Sequence, residues 1–197
     1  MILSLTKGAN LSLTKEFPSL KLVRFGLGWD AKSTDTGVDF DLDASAFMLN
    51  TQKKLLNTTT GEGFIFYNQP SATGIQYGGD NRTGSGDGDD ETIDVNLNAL
   101  QSNVDSIMIT ATIYHARKRK QNFGQVKNAY IRLVDAETGT ELVRYDLSED
   151  FGTETALMFG ELYRYNGEWK FRAVGQGYAG GLSALANSFS LNIPEEV

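Results

Sequence analysis

The chain has 197 residues, a formal charge of −7, 40% hydrophobic and 11% aromatic residues, no cysteine and one histidine. That length suits one large domain with a closed core. The composition excludes a disordered chain and helical bilayer spans, since the longest apolar runs, such as residues 106–114, fall far short of a span. The absence of cysteine excludes disulfides, thiolate chemistry and cysteine-ligated metals, and the lone His115 excludes a site built on two imidazoles.

In chain order the pattern is one of strands: short runs of β-branched and aromatic residues with period two, punctuated by Gly, Asn and Asp. The opening, Met1-Ile2-Leu3-Ser4, lacks a basic n-region and an apolar h-region, so a cytoplasmic location is the expectation. A near-repeat follows, Leu3-Ser4-Leu5-Thr6-Lys7 and Leu11-Ser12-Leu13-Thr14-Lys15, joined by Gly8-Ala9-Asn10, and it predicts two strands around a short turn. Further strands are expected at residues 21–28, 40–50, 63–68, 92–97, 106–114, 129–135, 141–147, 156–165 and 168–174. Two connections carry turn chemistry: Glu137-Thr138-Gly139, and Asn166-Gly167, whose residues accept the positive φ of a type I′ hairpin. Leu182, Leu185, Ala186 and Phe189 stand at helical spacing after Gly180-Gly181 and predict a short C-terminal helix, a frayed terminus being the alternative. About ten strands without intervening helices cannot build βαβ units. The expectation is therefore an all-β, two-sheet β-sandwich with a short C-terminal helix, forming one domain over residues 1–197.

The negative charge is concentrated. Residues 30–43 carry five Asp against one Lys, residues 80–94 carry six acids against one Arg, and the rest of the chain has a slight positive excess. In Asp39-Phe40-Asp41-Leu42-Asp43-Ala44 the strand alternation sets three carboxylates on one face and Phe40, Leu42 and Ala44 on the other. Asp is a poor strand former and like charges on one face repel, so a bound cation is the simplest compensation. Same-face neighbours lie roughly 7 Å apart along a strand, close enough to share a calcium ion with its oxygens at about 2.3–2.6 Å. The outer pair, Asp39 and Asp43, is too far apart, so either two ions bind or one of these two acts in support; two ions are preferred. The loop from Gly79 to Glu91 supplies a second set of hard oxygen donors in Asp80, Asn81, Asp89, Asp90 and Glu91, on a glycine-rich backbone able to turn sharply. Asp87 lies in the same loop. The loop lacks the spacing of an EF-hand, so the site must be assembled from separate segments. Magnesium suits so many converging carboxylates less well than calcium. Asp30, after Trp29, adds a further candidate ligand, with a strand-ending turn as its plain alternative; a solvated acidic loop is the plain alternative for the whole set.

These same residues carry a resemblance. Gly26-Leu27-Gly28-Trp29-Asp30, the acidic strand 39–45, the loop running from Gly79-Asp80-Asn81 to Gly88-Asp89-Asp90-Glu91, Phe159-Gly160-Glu161-Leu162-Tyr163-Arg164 and Gly175-Gln176-Gly177-Tyr178 together resemble the TerD family of bacterial tellurium-resistance and stress proteins. The resemblance spans almost the whole chain. It implies a β-sandwich, two calcium ions held by the acidic segments, and a role in tellurite resistance or a wider envelope or chemical stress response, with protein partners in a stress-response assembly. It implies no particular reaction.

Two other features admit competing readings. Gly175-Gln176-Gly177-Tyr178-Ala179-Gly180 fits a dinucleotide fingerprint but has no following parallel strand, and a glycine-rich turn packed on the sheet explains it better. Arg117-Lys118-Arg119-Lys120 is the one basic cluster, and a solvated loop explains it better than a phosphate or nucleic-acid site. No nucleic-acid partner is expected of so acidic a chain, while association with a membrane surface is left open. The leading reading is a calcium-dependent binding or scaffold module. Its rivals are a metal-dependent phosphoester hydrolase, for which no nucleophile or general base stands out, and a small-anion or nucleotide binder using the Gly175–Gly180 turn.

Overall fold

The computed structural model describes residues 3–4, 7–30, 37–86, 88–146 and 152–194. Thirteen strands form among them. They are Leu3–Ser4 (β1), Asn10–Ser12 (β2), Leu22–Gly28 (β3), Leu42–Leu49 (β4), Phe64–Ile65 (β5), Ser71–Ala72 (β6) and Ile75–Tyr77 (β7). Glu91–Asn96 (β8), Ser106–Ile113 (β9), Tyr130–Asp135 (β10), Thr140–Asp146 (β11), Ala156–Tyr165 (β12) and Glu168–Tyr178 (β13) complete the set. Three short helices accompany them: Leu13–Glu16 (α1), Ala116–Arg119 (α2) and Gly181–Asn187 (α3).

The strands build two sheets, ordered β1-β11-β10-β3-β8-β7-β6 and β2-β13-β12-β9-β4-β5. All pairings are antiparallel except that of β1, which joins β11 in parallel. The expected two-sheet sandwich and its C-terminal helix are both present. The near-repeat at the start behaves differently from its prediction. Its two halves go to different sheets, and the second leaves the strand at Ser12, whose hydroxyl accepts the Lys15 N–H and starts α1. Leu5 and Thr6 of the first half lie outside the described residues, as does Leu147 at the end of the expected strand 141–147.

The core explains why the patterning is so apolar on some strands. Between the sheets lie Val23, Phe25 and Leu27 of β3, Leu42, Ala44, Ala46 and Met48 of β4, and Leu157, Phe159 and Leu162 of β12. Phe171 joins the layers, its ring 6.0 Å from Phe25 and 5.7 Å from Phe159. A second, smaller core covers the outer face of the β4 sheet, where Phe47, Leu49, Met108 and Met158 pack under Leu185, Ala186 and Phe189 of the α3 segment. Strands β4 and β9 are therefore buried on both faces along almost their whole length, their outward Ser45 and Thr110 hydroxyls bonding each other at 2.6 Å. Asn166 and Gly167 take the expected positive φ, 51° and 78°, in the two-residue turn of the β12–β13 hairpin. At one end of the sandwich β3 and β9 finish while β4 and β8 begin, and the acidic segments gather there.

Candidate metal centre

Strand geometry brings the first two carboxylates together. Leu42 and Ala44 point into the core, so Asp41 and Asp43 share the opposite face at the start of β4, with the Asp41 carbonyl anchored by the Tyr114 N–H at 2.8 Å. Asp80 arrives from the loop after β7. One carboxylate oxygen from each of Asp41, Asp43 and Asp80 lies within 4.8 Å of the others. An ion bonded at 2.3–2.6 Å to each oxygen spans oxygens up to about 5 Å apart, so the three fit a single calcium without rearranging the strand.

A buried carboxylate behind this cluster points the same way. Glu91 opens β8 and faces inward, 1% exposed; its Oε2 accepts the Ala44 N–H at 2.5 Å, while its Oε1 and the hydroxyl of buried Tyr77 adjoin one another and have no other hydrogen-bond partner. Burial, with the charges of Asp43 and Asp80 adding to it, pushes the Glu91 carboxyl up to about 9, against the pull of the Ala44 N–H. Burial likewise raises the Asp41 carboxyl, opposed by Arg119 and assisted by Asp80. Carboxylates that face one another are costly by themselves, and a cation among them relieves their repulsion. The donor set, all carboxylate oxygen, is that of a hard ion such as calcium.

The remaining predicted ligands divide by what holds them. Asp39 lines the cleft beside Asp41 and Asp43. Asp90 and Asn81 build the loop: Asp90 accepts the Trp29 N–H at 3.0 Å and the Asn81 Nδ2 at 2.7 Å, while Asn81 Oδ1 accepts from Thr83 and Gly84 N–H groups at 3.1 Å each. Burial raises the Asp90 carboxyl too, the Trp29 N–H opposing. Asp89 stands apart, on the outer face of the β3 sheet. There it takes Arg132 through Nε at 2.7 Å and Nη2 at 3.0 Å, in a hollow that exists because Gly26 has no side chain. Asp30 is tied to Asn128 Nδ2 at 2.7 Å. Asp87 lies outside the described residues.

The cluster forms the floor of a cleft of about 350 Å³ walled by Val38, Tyr67, Tyr114, Arg82 and Arg119. Arg119 reaches Asp41 at 3.4 Å with its guanidinium 5.1 Å from the Tyr114 ring centre, and Arg82 reaches Asp80 at 3.1 Å. Sequence reasoning missed these walls. Arg119 was hidden in a basic run that reads as solvated, and only its excess of positive charge beside an acidic chain hints at a role. Tyr67 and Val38 carry no local signal.

Fold and site together define a β-sandwich with an oxygen-donor cluster at one end of its strands. The chain belongs to the TerD family: the TerD domain matches residues 1–189. The tellurium resistance protein TerD of Serratia marcescens is 55% identical over 194 residues, covering 98% of this chain and 99% of the relative. General stress protein 16U of Bacillus subtilis (strain 168) is 50% identical over 195 residues, covering 98% and 100%. The crystal structure of a Streptomyces coelicolor A3(2) homologue of telluride resistance protein TerD superposes with a TM-score of 0.71 over 85% of this chain and 96% of that one; at 21% identity it speaks for the fold alone. Among the described residues no helix is long and apolar enough to cross a membrane.

Proposed function

We propose that this protein is a calcium-binding module of bacterial tellurium resistance and stress response, working in the cytoplasm by presenting a calcium-organised surface to partners. The observation that carries the reading is the convergence of Asp41, Asp43 and Asp80 on oxygens within 4.8 Å of one another, with buried Glu91 close behind them. One ion sits at the three aspartates. A second, expected from the sequence, draws on Asp39 or on the Glu91 side of the cluster. The physiological assignment rests on the names of the relatives, tellurium resistance protein TerD and general stress protein 16U. With no thiol to capture or reduce tellurium, the chain contributes through binding and assembly rather than redox chemistry of its own side chains.

Calorimetric titration with calcium, paired with thermal melts, tests the reading. Saturating calcium at about a hundred times its dissociation constant stabilises the fold by roughly 2.7 kcal/mol. Asp43→Asn and Asp80→Ala abolish the heat of binding and the thermal shift together, and the fitted stoichiometry distinguishes one ion from two. A wild-type protein that neither binds calcium nor gains stability from it sinks the reading.

A further inference from the structure

The cleft over the carboxylates carries chemistry that an ion alone does not use. Of the three large hydrophobic side chains exposed among the described residues, two, Val38 at 42% and Tyr67 at 37%, stand in its wall. Tyr114 stands with them. Two guanidiniums flank the floor, Arg82 on Asp80 and Arg119 on Asp41. Each guanidinium has five N–H donors in a planar fork suited to an oxyanion, more than one carboxylate contact consumes.

Charge decides what such a cleft can accept. Asp39, Asp41, Asp43 and Asp80 outnumber Arg82 and Arg119, so without a metal the lining is net negative and repels anions. A calcium ion on the three aspartates cancels that excess, the four Asp, the two Arg and the ion summing to zero, and sets a local positive charge at the floor. Held by one oxygen from each aspartate, it also has coordination positions left for other ligands, since calcium takes six to eight oxygens. The same ion weakens the hold of Asp41 and Asp80 on the two arginines by competing for their oxygens. An oxyanion answers both needs, filling the ion's open positions and pairing with the guanidiniums.

We propose that the cleft is a calcium-dependent site for a phosphate monoester, its oxygens bridging the ion to Arg82 and Arg119 and its carbon skeleton lying against Tyr67 and Val38. The inference rests on the calcium reading above and adds the ligand. The volume, about 350 Å³, lies at the small end of ligand pockets and suits a small phosphorylated molecule or the headgroup end of a phospholipid.

Calorimetry with phenyl phosphate as the probe tests the site, in saturating calcium and in chelator. Binding is expected in calcium and absent in chelator. Arg82→Ala, a change at a side chain 76% exposed and so harmless to the fold, and Arg119→Lys, which keeps the charge but loses the planar fork, each weaken phenyl phosphate tenfold or more, and Arg82→Ala also binds calcium more tightly because a competing cation leaves Asp80. Phosphatidylcholine vesicles doped with phosphatidic acid form the second arm: sedimentation with them in calcium assigns a lipid headgroup, and phenyl phosphate binding without sedimentation assigns a free phosphate monoester. Calcium binding by the wild type with no response to either probe, or with Arg82→Ala responding like wild type, overturns the inference while leaving the calcium reading standing. A flat calcium isotherm removes both.

Discussion

At the scale of single residues, carboxylates of the same type do different work according to what faces them. Asp89 is neutralised by Arg132, Asp90 holds a loop, and Asp41, Asp43 and Asp80 face one another. Glu161 shows a fourth use. It is buried on β12 between Lys53, at 2.9 Å, and a close Arg172, with its side chain 2% exposed. Burial alone raises its carboxyl, but hydrogen bonds from Lys53 and Ser106 and the charges of Lys53 and Arg172 outweigh that and hold it below the ordinary 4.5. A folded-state value below the unfolded one gives stability that is present above about pH 4.5 and lost as pH falls through the lowered value. Glu161→Gln is expected to cost roughly 1.5–3 kcal/mol near neutrality, the worth of hydrogen bonds to a charged group. Urea titrations of both proteins should converge as the pH drops below 4.5, and a difference independent of pH would refute the ionic account.

At the scale of elements, the acidic loop is a folded unit resting on one aromatic. Trp29 donates Nε1–H to the Phe40 carbonyl at 3.3 Å, and Gly84 of the loop packs on the same indole at a φ of 63°. A Cβ at that position would stand 2.5 Å from Trp29 Nε1, and the left-handed conformation adds strain for any other residue. Gly84→Ala should therefore cost about 1–3 kcal/mol, shift Trp29 fluorescence and weaken the proposed calcium binding by displacing Asp80. Unchanged fluorescence and calcium affinity would show that the loop does not position its aspartate through this contact. Glycines in the loop are legible as turn formers; the partner that makes Gly84 in particular necessary is Trp29, fifty-five positions away in the chain, and no local pattern reveals it.

At the scale of the whole molecule, the two tryptophans report from opposite ends of the sandwich. Trp29 sits beside the acidic cleft, whereas Trp169 lies with Leu13, Leu97 and Leu100 at the end where β3 begins. The core joining these ends is continuous from Trp29 to Trp169. A single cooperative unit follows, and the variants Trp29→Phe and Trp169→Phe, each leaving one reporter, should unfold in urea at the same midpoint once corrected for their own stability changes. Two separated transitions would divide the chain into independent units.

Much of this was legible from the sequence. Period-two alternation determined most strands, because a residue's face in a strand depends only on its parity, and the same parity set Asp41 and Asp43 side by side. The Asn166-Gly167 turn and α3 were equally local, one a matter of allowed φ, the other of helical spacing. Tertiary structure decided the rest. The short strands β7 and β6 were not expected from the sequence: β7 pairs with the edge that β8 offers and β6 with β7 in turn, and runs of two or three residues are too short to show an alternation. The repeated Leu-Ser-Leu-Thr-Lys motifs were parted by pairing with β11 and β13. Among the acids, only folding could separate Asp89 from Asp80, since their environments are made by Arg132, Gly26 and the start of β4, all distant in the chain. Charge and chemistry are properties of a residue type and travel with the sequence, whereas the electrostatic partner of each charge is a property of where the chain returns.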